Sequence, residues 1–322
     1  MIQDGYHRKI DYLRISVTDR CNLRCVYCMP AHGVKPKAHQ DILSLEEIYR
    51  LAQVAVKLGI SKIRITGGEP LVRKNITSLV ANLAQIPGLV DLSLTTNGLL
   101  LADMAPDLKT GGLKRVNISL DSLKAERYRQ LTRIGDLKEA WRGIEAALQV
   151  GLDPVKINMV VIQGVNDDEL GDFARLTLEL PLHIRFIELM PIGGEPVGEY
   201  LSSAQIKERL EEEFTLQGVP GPNGAGPARY YQLPQAQGTI GFISPISDHF
   251  CQACNRLRLT PDGILRPCLG FDTGIPLRDR LRQGISDGEL AELIGQAIAM
   301  KPQGHNLTTA SPCRRIMSQI GG

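Results

Sequence analysis

The sequence predicts an α/β fold, an incomplete (βα)6 barrel of the TIM type followed by a C-terminal α+β region. In the first two-thirds of the 322-residue chain, short β-branched runs alternate with amphipathic stretches. The spacing, about thirty residues per unit, is typical of parallel strand–helix units. Six such runs are fewer than the eight strands of a closed barrel. Near residue 215 this alternation ends, so we divide the chain at 1–215 and 216–322.

The predicted elements of the first region are strands separated by helices. The candidate strands are Leu13–Val17, Lys62–Thr66, Asp91–Thr95, Arg115–Leu120, Val155–Ile162 and His183–Leu189. Two of the intervening helices have clear end signals. Ser44 and Glu47 predict a capping box for a helix over Leu45–Leu58, which ends at Gly59. A second helix is predicted over Leu137–Val150, and it ends at Gly151.

Side chains that alternate along these strands form one apolar and one polar face, since neighbouring strand residues point to opposite sides. Branched apolar residues such as Leu13, Ile63 and Ile118 share the first face. The polar face is predicted to carry Arg14, Ser16, Arg64, Thr66, Ser93, Thr95, Asn117, Ser119, Lys156, Asn158, Glu188 and Met190. Because the helices between strands call for parallel crossovers, we expect this face to line a wet interior. An antiparallel sheet with one solvated face is the alternative.

The C-terminal region has weaker periodicity. Gly218 to Pro227 is rich in glycine and proline and predicts a loop. Strand-like runs follow at Arg229–Leu233, Thr239–Ile243, Arg256–Leu259 and Ile264–Cys268, and helical patterns at Leu277–Gln283 and Gly288–Met300. The turn Pro261-Asp262-Gly263 predicts that the last two strands form a hairpin.

Composition narrows the class of protein. Hydrophobic residues make up 43% and charged residues 22%, as in ordinary soluble domains. A formal net charge of +2 does not favour nucleic acid or a membrane as a partner. No window approaches the roughly 20 apolar residues of a membrane span, and the N-terminus lacks an apolar signal segment. We therefore expect a cytoplasmic protein whose seven cysteines are reduced, where clustered cysteines favour metal over disulfides.

The first cysteine cluster, Cys21, Cys25 and Cys28, has three residues and then two between its members. Three thiolates can hold a 4Fe–4S cube and leave its fourth iron without a protein ligand. Such an iron can bind and activate a small molecule, whereas a cube with four cysteines mainly transfers electrons. Tyr27 directly precedes the third cysteine.

A second cluster comprises Cys251, Cys254 and Cys268, separated by two and thirteen residues. A zinc site with His249 as fourth ligand is one interpretation, and packed thiols are another. Next to an N-terminal iron–sulfur triplet, a second cube with an open iron is favoured. Cys313 has no cysteine neighbour at ligand spacing and is predicted to be a plain thiol.

Several motifs together resemble a known family. The first triplet, Gly67-Gly68-Glu69-Pro70 after the second strand and Thr95-Thr96-Asn97-Gly98 after the third resemble the radical S-adenosylmethionine (SAM) superfamily. The second triplet, Asn255-Arg256-Leu257-Arg258 and the terminal Gly321-Gly322 narrow the resemblance to the GTP 3′,8-cyclases of molybdenum-cofactor biosynthesis. It extends from about residue 10 to the last glycine. The resemblance implies two 4Fe–4S clusters, SAM as cosubstrate and cyclisation of GTP.

The resemblance also implies residue roles. Cys21, Cys25 and Cys28 would hold the cluster that binds SAM, and Cys251, Cys254 and Cys268 the cluster that binds substrate. The SAM contacts would be Tyr27, Gly68, Ser119 and Met190; the GTP contacts would be Arg14, Arg64, Thr95, Lys156, Arg256 and Arg258. Gly321 and Gly322 would reach into the site, and no residue is assigned as acid or base. Taken alone, Met190 and Tyr27 would indicate core packing, and each basic residue a surface charge.

The residues themselves support an anionic substrate. Arg14, Arg64 and Lys156 fall on one predicted face and could clamp a triphosphate. Arg256 and Arg258 flank Leu257, so both point to one side of an extended segment; a charged outer face of the hairpin is the alternative.

By resemblance, we expect a flavodoxin or ferredoxin as reductant and cyclic pyranopterin monophosphate synthase as the enzyme that takes the product; a homodimer is left open. Three rival functions remain at this point: a radical SAM enzyme that modifies a peptide, a two-cluster electron carrier and a zinc-stabilised binding module.

Overall fold

The computed structural model describes residues 2–192, 198–224, 226–305, 307 and 315–321. At its centre, the described residues form one sheet of twelve strands. The strands are β1 Tyr12–Ser16, β2 Lys62–Thr66, β3 Asp91–Thr96, β4 Arg115–Ser119, β5 Val155–Val161, β6 Leu182–Glu188, β7 Gln217–Val219, β8 Arg229–Gln232, β9 Thr239–Ile243, β10 Arg256–Leu259, β11 Ile264–Arg266 and β12 Ile275–Pro276.

The predicted α/β class is confirmed by the way these strands pair. Strands β1 to β6 lie side by side in chain order, and every adjoining pair is parallel. The antiparallel alternative is therefore wrong for this region. Two further parallel strands extend the set, because β10 pairs with β1 and β9 pairs with β6. The curvature of the predicted barrel stays a prediction.

Helices cover the apolar face of the sheet. They are α1 Leu45–Lys57, α2 Ile76–Ala84, α3 Leu101–Thr110, α4 Ala125–Thr132, α5 Leu137–Gln149, α6 Leu170–Glu179, α7 Ser203–Glu211, α8 Arg278–Arg282, α9 Asp287–Ala299 and α10 Met317–Ile320. The capping box of α1 is confirmed, since the Ser44 hydroxyl accepts from the Glu47 amide and the Glu47 carboxylate accepts from the Ser44 amide. Strand residues such as Ile63 and Ile118 are fully buried within this helix–sheet core.

The strand register corrects the predicted polar face. Arg14 lies between Arg64 and Arg258, as the alternation along the strands requires. However, Arg115 lies beside Ser93, and Arg185 lies beside Asn158, so two arginines missed by sequence reasoning belong to this face.

The strand register contradicts the predicted place of Glu188 on the polar face, although the residue, at the end of β6, still lines the cavity described below. Its register partner is Val161, a core residue. Hydrogen bonds offset the cost of burying this carboxylate. It accepts from the amides of Ser203, Ile246 and Ser247 at 2.8, 2.9 and 3.0 Å. Met190 lies beyond the end of β6, where the alternation no longer applies.

The C-terminal region is part of the same sheet. The predicted hairpin is present, with β10 and β11 antiparallel and Arg258 opposite Arg266. Helix α9 packs against α1, and Arg50 bonds Asp287 across the contact at 3.1 Å. The division into 1–215 and 216–322 stays a prediction. In the part of the chain that the structure covers, no helix has both the length and the apolarity required to cross a bilayer.

Gly143 is where α5 approaches the turn after β3 most closely. A Cβ atom on this residue would lie 2.2 Å from the carbonyl oxygen of Gly98. We expect Gly143→Ala to lower the free energy of unfolding by about 1–3 kcal/mol, because backbone atoms must move apart. Urea denaturation followed by circular dichroism measures this.

A matched control is Gly295→Ala in α9, where an added Cβ would meet nothing within 4 Å. This variant should be about 0.5–1 kcal/mol more stable than the parent, since alanine favours a helix interior. Equal effects at both sites would contradict the packing argument.

Candidate active site

One cavity, called the chamber below, joins most of the predicted site residues. The first cysteine triplet and the second triplet both line it, together with the polar face of the sheet. Its volume of about 310 Å³ falls within the range of small-molecule sites. The predicted residues that line it are Arg14, Cys21, Cys25, Tyr27, Cys28, Arg64, Gly68, Thr95, Ser119, Met190, Cys251, Cys254, Arg256, Arg258 and Cys268.

The topology explains how both triplets line one cavity. The first triplet follows β1, at the edge where the parallel strands end. Cys254 precedes β10 and Cys268 follows β11, so the hairpin brings these two cysteines together at the opposite edge, where Arg256 pairs with Tyr12 at the start of β1. The thirteen residues between Cys254 and Cys268 are therefore the length of a hairpin. The chamber runs along the sheet from one triplet to the other.

The first triplet is a set of half-buried cysteines in a tight loop. The amides of Cys28 and Met29 both donate to the Cys25 carbonyl, at 2.9 and 3.2 Å. Burial raises the pKa of Cys21 to about 11, and burial followed by the neighbouring Cys28 raises the pKa of Cys25 well above its usual value. Thiolates at these positions need a nearby positive charge, which iron would supply. The donor set fits an iron–sulfur cube with three protein ligands.

Across the residues that the structure describes, no three His, Cys, Asp or Glu side chains converge to hold a single metal ion. A four-iron cube binds each thiolate at a different iron, so its protein ligands need not converge on one point.

Glu69 joins the two sequence motifs next to the first triplet. Its buried carboxylate accepts from the Leu71 amide, the Thr96 hydroxyl and the Asn97 amide at 3.0, 2.8 and 2.7 Å. The Asn97 side chain in turn lies 3.9 Å from the Cys21 sulfur. Burial raises the pKa of Glu69 to about 7, against the hydrogen bonds from Asn97 and Leu71. This carboxylate therefore couples the Gly-Gly-Glu-Pro turn to the cysteine loop.

The predicted SAM contacts lie around the same loop. A Cβ on Gly68 would lie 2.4 Å from the Arg20 carbonyl oxygen, so only glycine allows this close approach. The Tyr27 hydroxyl donates to Asp121 at 2.5 Å, and Asp121 also accepts from the Val160 amide. Sequence reasoning missed Asp121, although its place two residues beyond β4 is a signal for a residue at the strand ends.

Five arginines among the described residues line the chamber, the four predicted ones and Arg185. Burial and the neighbouring Arg258 lower the pKa of Arg14 to about 9. Burial and the neighbouring Arg256 lower the pKa of Arg258 to about 10. Because these cations repel each other, the chamber is suited to an anion with several charges.

Lys156 lies outside the set of residues that line the chamber. Its amino group donates to the Asn223 carbonyl at 2.9 Å. Burial, followed by Arg185 and Arg115, lowers the pKa of Lys156 to about 6. Its predicted contact with a triphosphate stays a prediction.

Two cations support the second triplet. The Lys301 ammonium lies 3.4 Å from the Cys254 sulfur, and Arg8 donates to the Cys251 carbonyl at 2.7 Å. Burial alone would raise the pKa of Cys254, but Arg256 and Lys301 lower it to about 7. Sequence reasoning missed both cations, which come from opposite ends of the chain.

The tail lies at the edge of the chamber. The Gly321 carbonyl oxygen accepts from Arg258 at 3.3 Å and from the Thr66 hydroxyl at 3.4 Å. Its φ of +72° favours glycine. Gly322 and Cys313, which sequence analysis also singled out, lie outside the described residues.

Several buried polar atoms of the residues that line the chamber have no hydrogen-bond partner in the described part of the chain. The Thr95 hydroxyl and the Asn158 side-chain oxygen are among them. Buried polar groups are normally satisfied, so these atoms indicate that a polar ligand completes the site.

Comparisons with known proteins decide the family. Residues 15–177 match the Radical SAM superfamily, and residues 182–307 match Molybdenum Cofactor Synthesis C. A GTP 3′,8-cyclase from Moorella thermoacetica is 54% identical over 323 residues, covering 100% of both chains. The chain belongs to the GTP 3′,8-cyclase family. Family members from Desulforamulus reducens and Pelotomaculum thermopropionicum are 54% and 53% identical, over 99% and 100% of each chain. The resemblance inferred from the motifs is confirmed.

Solved structures share the fold at much lower identity. Streptococcus suis SuiB gives a TM-score of 0.62 at 15% identity, over 95% of this chain and 76% of that chain. The same protein bound to S-adenosylmethionine gives 0.61 at 16% identity, over 84% and 64%. At this identity the likeness shows the fold alone.

Glu69→Gln tests the coupling between the turn and the cysteine loop. The amide replaces one acceptor oxygen with a donor, so one of the bonds to Thr96 or Asn97 is lost. Loss of a hydrogen bond to a charged group costs about 1.5–3 kcal/mol. We expect SAM cleavage, measured as 5′-deoxyadenosine, to fall about tenfold or more.

Glu47→Gln in the capping box of α1 is the control, because it makes the same exchange away from the chamber. It should leave SAM cleavage unchanged. Parental SAM cleavage in Glu69→Gln would show that the carboxylate does not position the loop.

Proposed function

We propose that the chamber carries out the reaction of the family, the radical SAM-dependent cyclisation of GTP to (8S)-3′,8-cyclo-7,8-dihydroguanosine 5′-triphosphate. This reaction is the first step of molybdenum-cofactor biosynthesis. One observation carries the proposal: a single cavity connects both cysteine triplets, with five arginines among its described lining residues. That arrangement fits a polyanionic substrate between two iron–sulfur clusters.

Cys21, Cys25 and Cys28 hold the SAM-binding 4Fe–4S cluster, and Cys251, Cys254 and Cys268 hold the substrate-binding one. When bound and reduced, the first cluster supplies the electron that cleaves SAM to methionine and a 5′-deoxyadenosyl radical. The protein's part is to hold SAM in place. Gly68 lets backbone groups approach the methionine end, Tyr27 is fixed by Asp121 beside the adenine, and Ser119 and Met190 complete the wall.

The cationic face orients GTP. Arg14 and Arg64 lie side by side on β1 and β2, and Arg185 adds a third guanidinium from β6. These groups bind the triphosphate, with bidentate contacts that guanidinium geometry favours. Lys156, whose pKa is lowered to about 6, becomes an ammonium when a phosphate approaches it and then adds a further positive charge.

Arg256 and Arg258 hold the nucleoside part beside the second triplet, and Thr95 donates or accepts one hydrogen bond. Held in this way, GTP would present its ribose to the radical that SAM cleavage supplies. Most of the rate comes from this fixed geometry and from the exclusion of water, because the reacting atoms must be held a few ångströms apart. Ring closure itself is the addition of a carbon radical to guanine, so we assign no residue to it as an acid or base.

The reductant and the assembly are proposed from the resemblance to the family. We propose a one-electron carrier of the flavodoxin or ferredoxin class as reductant, and transfer of the product to cyclic pyranopterin monophosphate synthase. A homodimer is proposed as the assembly. Peptide modification, the rival within the superfamily, has support only from the shared fold, whereas full-length identity above 50% favours GTP.

The deciding experiment is anaerobic incubation of iron-reconstituted protein with SAM, GTP and dithionite. We expect 5′-deoxyadenosine together with a cyclised guanosine triphosphate, identified by mass spectrometry. SAM cleavage that ignores GTP but responds to a peptide would overturn the proposal.

Thr95→Val tests whether the unpaired hydroxyl is reserved for substrate. The variant should be about 1 kcal/mol more stable, because it removes a buried polar group without a partner in the described structure. The KM for GTP should rise about tenfold, since a contact is lost. Thermal unfolding and steady-state kinetics measure the two effects.

Thr96→Val is the neighbouring control. Its hydroxyl already donates to Glu69, so we expect lower stability and weaker SAM cleavage. The hypothesis fails if Thr95→Val changes neither stability nor the KM for GTP.

The tail is tested by Gly321→Ala, Gly322→Ala and deletion of both glycines. A Cβ on Gly321 would lie 2.6 Å from the Thr66 hydroxyl and 2.8 Å from the Ser16 Cβ. We expect at least tenfold less cyclised product, with the iron content unchanged. Gly284→Ala, with φ +79° and nothing within 4 Å, controls for backbone strain alone. Full activity after the deletion would refute the role of the tail.

A further inference from the structure

Lys301 is a buried lysine that bridges the loops of the second triplet. It follows the C-terminus of α9, and only 4% of the residue is exposed. Its Nζ atom lies 3.4 Å from the Cys254 sulfur, 2.8 Å from the Arg256 carbonyl oxygen and 2.9 Å from the Pro267 carbonyl oxygen. One of these carbonyls follows Cys254 by two residues, and the other directly precedes Cys268.

The three contacts fit a charged ammonium. An ammonium has three N–H donors, and three acceptors surround Nζ, so every donor is used. A neutral amine would direct a lone pair at one acceptor. The side chain therefore ties the Cys254 loop to the Cys268 loop and brings a positive charge to the thiolate.

Charge balance distinguishes Lys301 from Arg8, the other cation that donates hydrogen bonds to a loop of the second triplet. Arg8 is neutralised by Asp4, with 2.6 Å between Arg8 Nε and Asp4 Oδ2. Among the described residues, no carboxylate lies within ion-pair distance of Lys301. Its counter-charge is the group that the cysteines hold. A buried charge without a carboxylate is costly unless such a partner is present.

We infer that Lys301 positions the ligand loops of the second cluster and raises that cluster's reduction potential. The inference rests on the proposed function, which places a 4Fe–4S cluster at Cys251, Cys254 and Cys268. Net charge, hydrogen bonds to sulfur and solvent exposure set the potential of such clusters. Lys301 contributes to the first two directly, and its methylene groups help to exclude water.

The test compares reconstituted holoenzyme with Lys301→Met and Lys301→Gln. Met keeps the length of the side chain and removes both charge and donors, whereas Gln keeps two donors without the charge. Iron content, anaerobic redox titration and electron paramagnetic resonance are measured, with added SAM marking the signal of the first cluster.

In Lys301→Gln, we expect the ratio of reduced to oxidised second cluster at a fixed potential to fall at least tenfold. A tenfold fall corresponds to a reduction potential that is lower by about 59 mV. In Lys301→Met, we expect the same shift or selective loss of the second cluster, about four irons per chain instead of about eight. The first cluster should keep its potential in both variants. Parental iron content together with a parental second-cluster potential in both variants would overturn the inference.

Lys109→Met is the matched control, because Lys109 also lies at a helix C-terminus and donates to a carbonyl, that of Gly151, away from the cysteines. It should behave as the parent. Failure of the proposed function would look different, since the parent itself would then hold only about four irons.

Discussion

The parallel pairing of β10 with β1 is the contact on which the site depends. It places Arg256 beside Tyr12 and Arg258 beside Arg14, over a ladder of only a few residues. Without it, the second triplet and its two arginines would have no fixed relation to the first triplet. The hairpin turn and the cations Arg8 and Lys301 then hold the loops in place. A short stretch of backbone hydrogen bonds thus places two separate cysteine motifs along the wall of one chamber.

The buried arginines of the chamber lower the stability of the folded protein. Buried guanidinium groups repel each other, and burial itself disfavours their charged forms, as the lowered pKa values of Arg14 and Arg258 indicate. The surrounding apolar core, from Ile15 to Phe186, compensates for this arrangement. Functional sites commonly depart from the rules of a stable interior in this way. An anionic substrate removes the repulsion, so binding and stability are coupled.

Much of this architecture could be predicted because it is local. The ends of the predicted strands and helices agree with the observed ends to within about two residues, and the four residues from Ser44 to Glu47 predict the capping box of α1. Motifs confined to one short loop, such as Cys21 to Cys28, indicate their chemistry from the sequence alone. The hairpin between Cys254 and Cys268 was also predictable from its turn.

Other features depend on distant contacts, and no local pattern encodes them. The return of β9 and β10 to pair with β6 and β1 is a matter of topology. Arg185 was missed because Glu188 was assumed to share the polar face, and the register of β6 is set by its partner β5. Asp121 and Lys301 act through residues far away in the chain, so their roles become visible only once the loops are assembled.

Lys156 has a consequence for the thermodynamics of nucleotide binding. With a pKa of about 6, it is mostly a neutral amine near pH 7 while its acceptor is the Asn223 carbonyl. A phosphate brought to this side chain would favour the ammonium and would therefore draw a proton from solution along with the ligand. The heat of complex formation would then vary with the ionisation enthalpy of the buffer, and calorimetry in two buffers would count the protons taken up.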